Sequence, residues 1–153
     1  VVLVLIALIA GVTSISTRPD PHQILADQAR RVGLQIRVAT DAARLKQQTI
    51  TWEGGLKNYR FVAADDQGAG EVTITSDELL RERQWDVPLT RLSITDLGTG
   101  TTRTLVDPDA PPLRIRAGRE WIQPRWKLDL VAEEASVSIE FDALGQAKVA
   151  HAN

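Results

Sequence analysis

The chain opens on a run in which every residue from Val1 to Val12 is apolar or glycine, so no face of the segment is suited to water. A bilayer core needs roughly 20 such residues in a helix, and the run falls short of that. It begins at full hydrophobicity, with no polar residue before it. The expectation is therefore the C-terminal part of a membrane or filament-core helix over 1–16 whose first turns lie upstream, with Val1, Val4, Leu5, Leu8, Ile9 and Val12 facing lipid or like helices. Two alternatives use the same residues: the apolar region of a cleavable signal peptide leaving through Ala10-Gly11-Val12-Thr13-Ser14, and a helix buried in a core.

The pattern changes at Thr17-Arg18-Pro19-Asp20-Pro21-His22, where two prolines restrict the backbone and predict a kink or short break. Beyond it Leu25, Ala29, Val32, Ile36, Ala39 and Ala43 recur at alternating spacings of four and three, which predicts an amphipathic helix over 22–46. Asp20 is placed to cap it, with Pro21 at its first position. Its other faces carry Asp27, Arg30, Arg31, Arg37, Asp41, Arg44 and Lys46. If the two helical segments are nearly collinear, 1–46 makes a rod of about 70 Å at 1.5 Å per residue.

After Lys46 the helical period stops and short runs rich in Thr, Val, Ile and Trp alternate with turn residues. Strands are expected near 49–53, 57–63, 71–75, 89–95, 101–106, 112–116, 120–131, 136–141 and 146–150. Asp142-Ala143-Leu144-Gly145 reads as the turn of a final hairpin. The prolines and aspartates of 107–112 mark an exposed loop. A helix followed by strands gives an α+β fold: 22–46 packed on an antiparallel sheet or small sandwich, in one globular unit spanning 17–153.

Composition narrows the chemistry more than it names it. The 153 residues, 43% hydrophobic and 25% charged, exclude a largely disordered chain. A formal charge of -2 supplies no basic field for nucleic acid. Cysteine is absent, which removes disulfides, thiolate nucleophiles and cysteine-ligated metals together. The two histidines, His22 in the joint and His151 in the tail, do not form a set with a nucleophile and an orienting acid, so no enzyme activity is expected. Asp65-Asp66 and Glu133-Glu134 read as solvated turns. Asp65, Asp66 and Glu71 around Gly68 and Gly70, or Asp107 with Asp109, offer hard oxygens for calcium without any full ligand spacing. Trp52, Trp85, Trp121 and Trp126 read first as core, although an exposed pair could stack on a sugar or anchor a protein.

The run Val1-Val2-Leu3-Val4-Leu5-Ile6-Ala7-Leu8-Ile9-Ala10-Gly11-Val12 resembles the part of a type IV pilin or pseudopilin leader that follows its processing motif. The family's cleavage Gly, N-methylated Phe and nearby Glu stand before that part and are not in this chain. Gln28-Ala29-Arg30-Arg31-Val32, then Tyr59-Arg60-Phe61-Val62, then Ser76-Asp77-Glu78-Leu79-Leu80-Arg81, and the Val137–Val149 hairpin follow the order of the H-class minor pseudopilins of type II secretion. The acidic, Gly-rich calcium loop of the major subunit is not among these features.

That resemblance implies a pilin-like fold and a single-pass inner-membrane subunit with its body in the periplasm. It implies packing into a short pseudopilus, at or near the tip, that aids protein export across the outer membrane. The implied partners are other minor and major pseudopilins, inner-membrane lipid before assembly, and secreted substrate proteins; no cofactor is implied. Leu25, Ala29, Val32, Ile36, Ala39 and Ala43 are expected to pack helix on sheet, leaving Arg30, Arg37, Asp41 and Arg44 as candidate partner contacts. Two alternatives stay open: a membrane-anchored periplasmic module binding carbohydrate or protein, and a minor pilin of a type IV pilus.

Overall fold

Helix α1 spans Pro21–Lys46 in the computed structural model, which describes residues 18–68 and 70–151. The expected helix over 1–16, with Val1, Val4, Leu5, Leu8, Ile9 and Val12, lies outside the described residues. Among the described residues no helix is long and apolar enough to cross a membrane. The start of α1 is fixed as its sequence indicates: the Asp20 carboxylate accepts from the His22 N–H at 3.0 Å, and Pro21 occupies the first turn. It ends on Gln47, whose φ of 51° turns the backbone left-handed while the Gln48 N–H bonds back to the Ala43 carbonyl at 3.1 Å.

Among the described residues ten strands follow in two antiparallel sheets. The first sheet runs β3 (Glu71–Thr73), β2 (Asn58–Ala64), β1 (Ile50–Gly54), β7 (Leu113–Ala117), with the two-residue β4 (Arg83–Gln84) also pairing β2. The second runs β10 (Ala147–His151), β9 (Ser136–Phe141), β8 (Trp126–Ala132), β5 (Leu89–Asp96), β6 (Thr102–Leu105). Alternation decides which face is buried. Register places Leu128 opposite Ile139 and Leu130 opposite Val137 on the inner face of the second sheet. Ile50, Trp52, Phe61 and Ile115 occupy the inner face of the first.

Helix α1 touches β9 and β10 of the second sheet and β1 and β7 of the first, so a single stripe closes one hydrophobic core against both sheets. Its approach to β10 is set by Gly33, where an added Cβ would lie 2.9 Å from the Ala147 Cβ. In an open helix Gly→Ala stabilises by about 1 kcal/mol. Here Gly33→Ala should instead lower the melting temperature, because helix and edge strand must separate. The double variant with Ala147→Gly should recover most of the loss, and thermal unfolding of the four members of that cycle checks it.

On β1 the residues between the inward ones are buried too. Glu53 is 7% exposed, yet its carboxylate accepts from the Arg60 Nε at 2.8 Å and lies 3.6 Å from the Arg114 Nε, residues that flank it on β2 and β7. Arg114 in turn reaches Glu71 on β3 at 2.6 Å. A buried carboxylate is tolerable only when so paired, and the chain of pairs links four strands of the first sheet, β3, β2, β1 and β7.

Two strand expectations need correction. The run expected over 120–131 begins only at Trp126, because Pro124 has no N–H to give a ladder and the Gln123 N–H bonds instead to the Ala143 carbonyl at 2.8 Å. Residues 118–125 are a loop. The second, β4, is a pairing that the pattern did not mark at all, since two residues carry no periodicity. The remaining strands lie within two residues of their expected bounds.

Candidate interaction surface

The stripe itself is spent inside the molecule. Leu25, Ala29, Val32, Ile36, Ala39 and Ala43 are all at most 4% exposed. The buried face is wider than these six, however, and takes in Gln28, Gln35 and Thr40. Gln35 explains why a polar residue can sit there: its Oε1 accepts from the Tyr59 hydroxyl at 2.9 Å and its Nε2 donates to the Leu79 carbonyl at 2.8 Å. The second bond ties Ser76–Arg81 to the helix. The same stretch closes on itself through Asp77, which accepts from the Leu79 N–H at its side chain and from the Leu80 N–H at its carbonyl. Leu80 is thereby inserted into the core.

Burial pushes the Tyr59 hydroxyl above the ordinary phenol range, with the Arg83 and Arg31 guanidiniums pulling weakly the other way. The sign of the linkage follows. The unfolded chain releases this proton near pH ~10, while the folded chain keeps it, so the stabilisation is intact below that pH and is lost as pH rises through the folded value. Because the chain has a single tyrosine, phenolate absorbance reports it without ambiguity. Phenolate should appear at higher pH in the folded chain than in the same chain unfolded in urea. Tyr59→Phe should cost about 1 kcal/mol at neutral pH for the unmatched Gln35, and should flatten the alkaline decline.

The four candidate partner residues divide differently from expectation. Arg30 pairs with Asp27 at 2.6 Å, both more than half exposed. Arg37 is exposed and makes no ion pair among the described residues. Asp41 is exposed, 3.8 Å from Arg44. Arg44 is the correction: it is not available for an outside contact. Only 15% of its side chain is exposed, its Nε and Nη2 donate to the Glu120 and Trp121 carbonyls at 3.2 Å each, and its guanidinium lies 5.0 Å from the centre of the Trp121 ring. An arginine with a fork of donors and a flat face can satisfy two carbonyls and an aromatic ring at once.

What Arg44 holds in place is the loop 118–125. Arg119 Nη1 also reaches the Gln47 carbonyl at 3.3 Å, and the Gln123 side chain donates to the Gly118 and Glu120 carbonyls. The result is a knob on which Trp121 is 78% and Ile122 73% exposed, next to the hairpin turn that carries the exposed Leu144. The sequence signal for it was the bracket of Gly118 and Pro124 around two large apolar residues.

The other tryptophans are packed. Trp52 and Trp85 are buried, Trp85 donating to the Gly55 carbonyl at 2.8 Å, and Trp126 stacks on Phe141 with centroids 3.9 Å apart. Trp121 thus stands alone as the exposed member of the four, and the exposed pair that would favour sugar stacking is not formed.

The acidic positions are occupied by turn chemistry. Asp65 and Asp107 each accept a backbone N–H two residues on, from Gln67 and Asp109, and Glu71 is engaged by Arg114. Among the described residues no three His, Asp or Glu side chains converge as metal ligands. His22 is exposed at the start of α1.

A long amphipathic helix laid against two antiparallel sheets, one of which ends in a C-terminal hairpin beneath it, defines the α+β, pilin-like fold. The chain is similar to the minor pseudopilin EpsH from the Type 2 Secretion System of Vibrio cholerae. The likeness has a TM-score of 0.57 and covers 86% of this chain and 98% of that one, at 12% sequence identity. No family model and no curated protein matches the sequence.

Proposed function

We propose that this chain is a minor subunit of a type II secretion pseudopilus. The observation that carries the reading is the shared fold, which extends over nearly the whole of the pseudopilin structure rather than over an isolated motif. The apolar run immediately before α1 supports it: a helix apolar on every face can leave lipid only for an equally apolar bundle, so one surface serves both membrane storage and filament assembly. On this reading the chain is held in the inner membrane by 1–16, its body stands in the periplasm, and it joins other pseudopilins at or near the tip, where it aids export of secreted proteins. It acts by assembly and not by catalysis.

The test is genetic and biochemical together. In the bacterium that carries it, deleting the gene should leave folded exoproteins in the periplasm, and the tagged full chain should sediment with inner membrane and co-purify with other pseudopilins. Normal secretion by the deletion strain, with the chain free of membrane and of pseudopilins, would refute the proposal. The knob at Trp121 and Ile122 gives a sharper measurement. It has the aromatic and aliphatic character of a protein-binding anchor, so Ile122→Ser, which leaves the Trp121 ring on Arg44 in place, should weaken co-purification while changing the melting temperature little.

A further inference from the structure

We infer that the cleft between the open edges of the two sheets receives an extended acidic peptide segment of another protein, added as a short strand to β7. Strands β6 and β7 are the outer strands of different sheets, and the loop 106–112 joins them at one end. At the other end they leave a cleft of about 430 Å³, with Ile94, Ile115 and Trp126 among its apolar walls and Arg103, Arg114 and Arg116 along its rim. Register decides what β7 offers to it. The Gly55 N–H bonds to the Asn58 carbonyl and the Ala64 N–H to the Thr49 carbonyl, so Thr49, Thr51, Glu53 and Gly55 turn their backbone groups toward β2. Ile50, Trp52 and Gly54 therefore turn theirs toward β7, where Ala117, Ile115 and Leu113 face them. The N–H and C=O groups of Arg114 and Arg116 are left on the cleft side. Of these, only the Arg114 carbonyl has a partner among the described residues, the Arg103 Nη2 at 3.0 Å. An extended backbone is the ligand that satisfies such an edge.

Side-chain alternation gives the occupant its character. On a strand laid beside β7, the side chains of one face meet Ile94, Ile115 and Trp126, and those of the other lie beside Arg114 and Arg116. Apolar and acidic residues in alternation fit that pair of faces. Arg114 is already shared by Glu53 and Glu71, whereas Arg116 is exposed, and neither it nor Arg103 makes an ion pair among the described residues. The one carboxylate lining the cleft, Asp96, accepts from the Gly98 and Thr99 N–H groups at 2.8 and 3.1 Å. Lys127 and Glu140, opposite each other on β8 and β9, alternate with the inward residues and so lie on the far face of the second sheet. On the loop after β7, Arg119 and Glu120 contribute one charge of each sign. The cleft thus keeps Arg103 and Arg116 against Asp96, a positive balance carried by guanidiniums, whose forked donors suit carboxylates.

The probe is a short dye-labelled peptide of alternating valine and glutamate, titrated by fluorescence anisotropy against the full chain in detergent micelles. It should bind saturably. A peptide with lysine in place of glutamate, or the glutamate peptide N-methylated at its amides, should bind about tenfold more weakly or worse. Arg116→Glu should weaken binding by about tenfold, the effect of reversing one interfacial charge. Arg91→Glu makes the same charge change at an exposed position of β5 outside the cleft and should leave binding unchanged. Hydrogen exchange carries the signature of an added strand: at saturating peptide the Arg116 N–H should exchange more slowly, while the Ile115 N–H, which faces β1, should not change. Absence of binding up to millimolar peptide, equal affinity for the lysine or the N-methylated peptide, equal losses in Arg116→Glu and Arg91→Glu, or an Arg116 N–H that exchanges in the complex as in the free chain would each overturn the inference. The measurement uses this chain and a synthetic peptide without any secretion apparatus, so its outcome is separate from that of the proposed role.

Discussion

Ile36→Ala is expected to destabilise the fold by about 2–5 kcal/mol, the range for removing a large buried aliphatic side chain. Ile36 is 4% exposed at the middle of α1, and with Trp52, Phe61, Ile115 and Phe141 it lines a small gap where helix and both sheets meet. Two features place the cost in the upper part of the range. The removed atoms would enlarge a space that already exists, and the surrounding rings are braced on separate sheets and cannot all collapse into it. Leu34→Ala, two positions away on the same helix but 57% exposed, is the internal control and should stay within about 0.5 kcal/mol of the parent. Urea unfolding followed by tryptophan fluorescence measures both. A shift in midpoint without a change in slope for Ile36→Ala, and no shift for Leu34→Ala, is the expected result.

Arg44→Glu should be the most damaging charge reversal on the helix, at roughly 2–3 kcal/mol, whereas Arg37→Glu should be nearly silent in stability. The difference is positional and not chemical. Arg37 projects into water, while Arg44 donates to the carbonyls of Glu120 and Trp121 and stacks on the Trp121 ring. A glutamate there leaves those carbonyls without their donor, sets an anion against two more oxygens, and places it one turn from Asp41. Loop 118–125 should then loosen while the core persists, so hydrogen exchange should rise around Trp121 and Ile122 before global stability is lost. Arg44→Lys should recover part of the stability but not the ordered loop, since an ammonium cannot reach two carbonyls with a planar fork. Equal melting temperatures for Arg37→Glu and Arg44→Glu would show that the Arg44 contacts contribute nothing to the fold.

These two residues also mark how far the sequence could be read. Ile36 was legible because a helix repeats its faces at fixed spacing, and Leu25, Ala29, Val32, Ile36, Ala39 and Ala43 hold that spacing whatever they pack against. The same reading assigned Arg44 to solvent, since on a helical wheel it sits beside Arg37 and Arg30. Nothing in the local pattern says that a loop 76 residues later comes back to it. Gln35 was missed for the same reason in reverse: a glutamine on the edge of a stripe looks exposed until a tyrosine hydroxyl from β2 and a carbonyl from the 76–81 turn arrive to satisfy it. Trp121 and Ile122 favour strands, so the pattern predicts strand over 120–125, and only the Gln123–Ala143 bond and Pro124 decide that the ladder begins at Trp126.

By itself the sequence determined the features whose causes are local: the start of α1, set by Asp20 and Pro21, and its length, set by the run of the apolar period; the alternation that buries one face of each strand; and the hairpin at Asp142–Gly145. The tertiary structure decided what depends on residues far apart in the chain. It divided the strands into two sheets meeting under one helix, and it buried Glu53 between Arg60 and Arg114. It withdrew Arg44 from the surface by bringing the Glu120 and Trp121 carbonyls to it. Local rules follow from backbone sterics and side-chain period, which act over a few residues. Pairing, charge neutralisation and exposure are settled only when the folded chain fixes which distant groups share the same few ångströms.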